Sequence, residues 1–225
     1  MFLTGTLVNA AAIVAGSIVG ILLGEFLPER MKTTLMHVCA LCAMGAGIPG
    51  LMESEKPVVP IISLVLGAII GELLDIDSAV KRLGDKLQCR FSGRGKISEG
   101  FVTATLVFAV GAMAVMGSLN SGLYHDHSIL FAKSAIDGVS SVVFAATLGL
   151  GVAFSAVPVF LLQGSIALLA TFIAPYISPA ALAEITFTGS LMIISISLNM
   201  LGVTKIKVLN LVPALIFPVF LCMFM

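Results

Sequence analysis

Apolar residues in this chain come in long blocks, with polar and charged positions gathered in the gaps between them. Eight blocks can be drawn, over 3–24, 33–52, 57–74, 100–123, 129–154, 156–174, 181–202 and 208–225. A helix rising 1.5 Å per residue needs about 20 residues to cross a hydrocarbon core about 30 Å thick. Each block therefore predicts a membrane-spanning helix, and the expected fold is all-α: a polytopic integral membrane protein with about eight transmembrane segments in a single domain, 1–225. Only Ser155-Ala156-Val157-Pro158 divides the fifth block from the sixth. That break predicts a tight helical hairpin or a broken, re-entrant element.

Composition agrees with the pattern: 59% of residues are hydrophobic and 11% charged, against about 25% charged in soluble domains. The basic residues then set an orientation. With the long loop 75–99 placed in the cytoplasm, alternation through eight spans puts ten of the twelve Lys and Arg residues inside. Lys56 and Lys133 alone fall on the outer side, and both termini are expected outside. Within that loop Ile76, Val80, Leu83 and Leu87 form an apolar stripe, as in an amphipathic helix lying on the cytoplasmic surface. No Lys or Arg precedes Arg30, so the first block lacks the basic start of a signal peptide and reads as a retained span. No basic patch interleaved with aromatics points to nucleic acid.

Small residues recur every fourth position in two blocks: Ala12, Gly16, Gly20 and Gly24 in the first, and Ser63, Gly67 and Gly71 in the third. In lipid such rows let helix backbones approach closely, within a protomer or across a homodimer. Gly16-Ser17-Ile18 precedes Pro28, and Gly164-Ser165-Ile166 precedes Pro175 at almost the same spacing. If spans 1–3 and 6–8 correspond, the odd number makes them an inverted repeat, an architecture of many secondary transporters.

One block contains polar chemistry that lipid penalises. Lys133, Asp137, Ser140 and Ser141 share one helical face, with Ser134 beside them. A span starting near Ile129 carries Asp137 roughly 12 Å deep, where a charge costs about 2.5–3.5 kcal/mol or more. Such a group is retained when it is paired, lines a polar cavity, or works. Amide side chains form a second set: Asn9, Asn120, Gln163, Asn199 and Asn210 lie in or beside spans. Asn9 and Gln163 sit deep enough to line a cavity. Asn120 lies in Gly117-Ser118-Leu119-Asn120-Ser121-Gly122, a stretch able to unwind and expose carbonyls.

His37, Cys39 and Cys42 lie close on one helix, but two thiols and an imidazole within a turn and a half rarely close a metal site unaided. No metal is expected. The four cysteines are too few and scattered for a disulfide framework. No zinc-protease helix, phosphate loop or nucleophile elbow is present, and the chain does not read as an enzyme.

Several stretches together resemble one bacterial membrane-protein family, catalogued as domain of unknown function 554. They include Gly5-Thr6-Leu7-Val8-Asn9, Leu66 to Asp75, Glu99 to Ala104, and Gly111-Ala112-Met113-Ala114 with Gly117-Ser118-Leu119. Ala132-Lys133-Ser134 with Asp137-Gly138, Phe154 to Pro158, Gln163-Gly164, Leu198 to Gly202, Asn210 and Pro213 complete the set. The resemblance implies a polytopic protein of the bacterial inner membrane with transport as a suspected role. It carries no defined activity with it.

The functional expectation is a homodimeric secondary transporter for a small solute or ion. Asp137 binds a coupling monovalent cation or proton, and no other cofactor is called for. Lys133, Ser134, Ser140, Ser141, Asn9, Gln163, Asn120 and Asn199 are the candidate contacts. The alternatives are a dimeric ion pore and a non-transporting scaffold that uses loop 75–99.

Overall fold

The computed structural model describes residues 3–80, 82, 97–109 and 112–224. Among them every regular element is helical: α1 (Thr4–Glu25), α2 (Glu29–Gly47), α3 (Val58–Leu74), α4 (Ile97–Ala109), α5 (Ala112–Tyr124), α6 (Ser128–Leu148), α7 (Ala156–Leu168), α8 (Pro179–Met200) and α9 (Phe217–Phe224), with short turns between. The protein is thus all-α. Among the described residues five helical stretches are long and apolar enough to cross a membrane, or six when α4 and α5, bent by 60°, count as one span. The α3 helix and the stretch Val208–Phe224 are apolar but shorter.

Local chemistry explains most boundaries. Asp75 ends α3 in the left-handed region at φ 47°, a conformation that Asp tolerates better than most side chains. Ser178 caps α8, its Oγ accepting from the Ala181 amide at 3.0 Å, and Pro179 fills the first helical position. The break after the fifth block comes at Gly149, earlier than the expected Ser155–Pro158. Gly149 takes φ 76° and ψ −152°, which glycine alone adopts cheaply. A turn at Gly151–Phe154 follows, and Pro158 then sits in the first turn of α7, where its missing N–H costs nothing.

The chain is built around α1. It packs most extensively on α6 and also touches α7. Successive contacts pair Gly5 with Leu130, Gly16 with Gly138 and Ser141, Gly20 with Val142 and Ala145, and Gly24 with Ala146. Residue numbers rise together, so α1 and α6 run parallel. A Cβ at Gly16, Gly20 or Gly24 would collide with a carbonyl of α6. The glycine row of α1 therefore lies in a seam inside the protomer. Gly67 and Gly71 do the same for α3, meeting Ala214 and Asn210 of the 3-10 turn Val208–Leu215.

Two other outcomes differ from the sequence pattern. The stretch Gly117–Gly122 stays helical, because its glycines admit neighbours instead: Gly117 meets Ile129 and Leu130, and Gly122 meets Ala167 and Ala170. Of the amphipathic stripe, Ile76 and Val80 lie in helical backbone over 76–80 and pack on the apolar cluster around Met192. Leu83 and Leu87 lie outside the described residues.

Candidate functional site: a buried amide and ion-pair cluster

Asp137 is the tenth of the twenty-one residues of α6, near the middle of the helix. Its carboxylate accepts from Lys133 Nζ at 2.9 Å, one turn earlier on the same helix. It also accepts from Asn9 Nδ2 of α1 at 3.0 Å. The second hydrogen of that amide goes to Gln163 Oε1 of α7 at 3.2 Å. Three helices are thereby joined through one asparagine. Asn9 and Gln163 have no exposed surface, Asp137 retains 3% and Lys133 6%.

The close approach that makes this possible comes from the small residues of α1. With Gly5 and Gly16 on the same buried face, the backbone of α1 lies against α6 and a short Asn side chain reaches the carboxylate. A deeply buried ion pair recovers its desolvation only when further hydrogen bonds complete it. Here that completion is partial. Among the described residues Asn9 Oδ1 and Gln163 Nε2 have no partner, nor do the buried hydroxyls of Thr6 and Ser17 on the same face of α1.

The remaining candidates stand apart. Ser134 Oγ donates to Leu130 O and Ser141 Oγ to Gly138 O, each closing on its own helix. Ser140 is half-buried on α6. Asn120 is half-buried, and its carbonyl accepts from the Asp126 amide. Asn199 is taken up in closing the loop 201–207: Oδ1 accepts from Thr204 Oγ1 and the Ile206 amide, and Nδ2 donates to Ile206 O. The structure thus brings together Asn9, Lys133, Asp137 and Gln163, and leaves Ser134, Ser140, Ser141, Asn120 and Asn199 outside that cluster.

Two open cavities lie elsewhere. One, of about 770 Å³, sits where α1 and α6 end, lined by residues including Glu25, Glu29, Lys32 and Thr147. The other, of about 500 Å³, lies between α4, α8 and the loop 201–207, lined by residues including Glu99, Asn199 and Lys205. Nearby, exposed Lys207 donates to Glu72, and that bond with the adjoining negative charge raises its ammonium pKa.

Residues 4–223 match the family model described as Protein of unknown function (DUF554). The chain belongs to this family. An uncharacterized membrane protein of Bacillus subtilis (strain 168), YdfK, is 32% identical to it over 95% of this chain and 93% of its own length. The uncharacterized protein YqgA of Escherichia coli (strain K12) is 28% identical over 94% of this chain and 93% of its own length. No solved structure matches the chain. The protein is therefore a polytopic membrane protein of the DUF554 family.

This DUF554 protein also has a buried carboxylate that sequence reasoning passed over. Glu184 of α8 is fully buried. It accepts from Ser54 Oγ at 2.7 Å and from the amides of Glu55 and Lys56 at 3.0 and 2.8 Å. The signal existed, an acidic residue within an apolar block. It lies at the fourth position of the seventh block, 181–202, where a helix end and a buried site look the same in sequence.

Proposed function

We propose that the protein is a secondary transporter of the bacterial inner membrane, with both termini outside. It moves a small solute or ion coupled to a proton or cation at Asp137. The observation that carries the reading is the incompletely satisfied polar cluster at mid-helix, where α1, α6 and α7 meet. Buried polar groups left without partners are rare and costly, and they concentrate where a site has work to do.

The packing supports an inverted repeat around this point. The three helices at the start of the chain meet three elements near its end: α1 meets α7, α2 meets α8, and α3 meets the turn Val208–Leu215. Gly47 lies nearest Ser190, Ile193 and Ile194, and Gly50 nearest Thr186 and Ser190, so α2 and α8 run antiparallel. Gly67 with Ala214 and Gly71 with Asn210 give the same sense for the third pair. In a transporter of this kind, access alternates as one repeat rocks against the other, with the binding site at their interface. Parallel α1 and α6 fit an alternating topology with three crossings between them.

Purified protein in liposomes tests it. Solute-dependent flux that Asp137→Asn abolishes is the expected result, and counterflow in the wild type separates a carrier from a pore. Equal flux in wild type and Asp137→Asn ends the proposal.

A further inference from the structure

The cluster at Asp137 holds one buried positive and one buried negative charge, and that balance restricts what it takes up. We propose that the solute is a small monovalent anion, carried together with one proton. The inference rests on Asp137 as the coupling group. Adding a sodium or potassium ion to the intact pair would leave a net positive charge at mid-helix; adding an anion alone would leave a net negative one. Either is strongly disfavoured in low dielectric, as any unpaired charge in a bilayer is. A proton and an anion together leave the site neutral.

The exchange balances atom by atom. The proton binds a carboxylate oxygen of Asp137, the ion pair with Lys133 opens, and the Lys133 ammonium pairs with the anion. Release reverses both steps and restores the pair.

The unpartnered groups match this chemistry. Gln163 Nε2 has both hydrogens unused, and Thr6 Oγ1 has no partner one turn before Asn9. With Lys133 Nζ, freed when the pair opens, they make a set of donors suited to an anion. Asn9 Oδ1 has no donor in the intact pair, and a half-turn of the amide, which now presents Nδ2 to Asp137, brings it round to accept from the protonated acid.

Lys133 is the charged group acting on Asp137. The other titratable groups on packed neighbours are remote. On α1, Glu25 is sixteen residues past Asn9, roughly 24 Å along the helix. On α2, Cys39 lies by Thr147, ten residues past Asp137 and roughly 15 Å along α6; His37 and Cys42 are exposed on that helix, and Glu29 and Lys32 border the cavity at the helix ends. Glu99 on α4 precedes Gly100, which meets the C-terminal Leu148 of α6. His127 stands just before α6, ten residues ahead of Asp137, and α5 and α7 carry no Asp, Glu, Lys, Arg or His.

Thermal unfolding of the full chain in detergent decides the matter, using choline salts of lactate, nitrate and chloride, with gluconate as the bulky control. A bound ligand raises the midpoint by mass action. In the wild type, one or more of the three anions should stabilise the protein. The concentration needed should rise about tenfold per pH unit once Asp137 is ionised, as one-proton linkage demands. Asp137→Asn, a stand-in for the protonated acid, should bind the anion independently of pH, and Lys133→Gln should lose the response. Should Lys133→Gln fail to fold, Gln163→Leu replaces it, with at least a tenfold weaker response expected. Lactate against nitrate and chloride separates a carboxylate from an inorganic anion. Stabilisation by sodium or potassium in place of the anions, or no anion response at any pH, overturns the inference. Flux of a cation abolished by Asp137→Asn would then leave the carrier standing, whereas pH-linked anion binding without flux would leave an anion site and remove the carrier.

Discussion

Asn9 and Asp137 lie 128 positions apart in sequence and meet at 3.0 Å, in the seam between two parallel helices. The same Asn9 amide holds Gln163, so its removal should loosen both contacts at once. Truncation of a group that leaves a buried charge short of a hydrogen bond costs about 1.5–3 kcal/mol. Asn9→Ala should destabilise the protein by an amount in that range, and more than Gln163→Ala. Unfolding in mixed detergent micelles compares the two directly.

The pair Lys133 and Asp137 should be strongly non-additive. Removing the lysine alone strands a buried carboxylate, a change that costs about 3–5 kcal/mol in buried pairs. Replacing both, as Lys133→Gln with Asp137→Asn, removes the charges together and should cost far less than the sum of the single changes. A double-mutant cycle by thermal unfolding reads the coupling.

The glycine seam makes a steric prediction. A methyl group at Gly20 would overlap the carbonyl of Val142, so Gly20→Ala should destabilise by about 1–3 kcal/mol, the usual cost of overpacking. Gly45 lies within α2 and a Cβ there meets nothing within 4 Å. Gly45→Ala should be neutral or stabilising by up to about 1 kcal/mol through helix propensity. Opposite signs in the two melting shifts are the expected outcome.

Glu184 should act as a fastener for the loop between α2 and α3. Glu184→Leu removes the acceptor of the Ser54 hydroxyl and of two amides in a half-buried loop, and hydrogen bonds to a charged group are worth about 1.5–3 kcal/mol each. Glu184→Gln keeps an acceptor oxygen and should retain most of the stability. Limited proteolysis should cut the 53–57 segment sooner in the leucine variant, with the glutamine variant close to wild type.

A pH effect is expected where α6 begins. Asp126 Oδ1 accepts from the Ser128 hydroxyl and amide, and these bonds hold its carboxyl below the usual carboxylate range. A depressed value means that the bonds favour the ionised form. Their contribution is complete above the ordinary Asp pKa and is lost as pH falls through the lowered one. Hydrogen exchange of the Ser128 amide, corrected for its intrinsic pH dependence, should show protection falling on acidification below the ordinary value. Asp126→Asn keeps an acceptor oxygen but cannot titrate, so its protection should not change with pH over that range.

Much of this protein was determined by sequence alone. Continuous apolar blocks of about 20 residues fix an all-helical membrane fold, since a barrel strand crosses with about 9–11 and a block this long satisfies its backbone in lipid as a helix. A charge such as Asp137 within a block is costly enough to mark itself, and the same reasoning singled out Asn9 and Gln163 as deep amides. Which of these meet was a matter for tertiary structure. Local sequence says nothing of the parallel register of α1 on α6, which brings Asn9 to Asp137 while Ser134 and Ser141 turn back onto their own helix. Only the packed structure showed that the glycine rows are filled from within the protomer, and that Glu184 serves a loop 128 to 130 residues away. Partner choice depends on backbone separation and direction across helices, and neither is written in the periodicity of a single span.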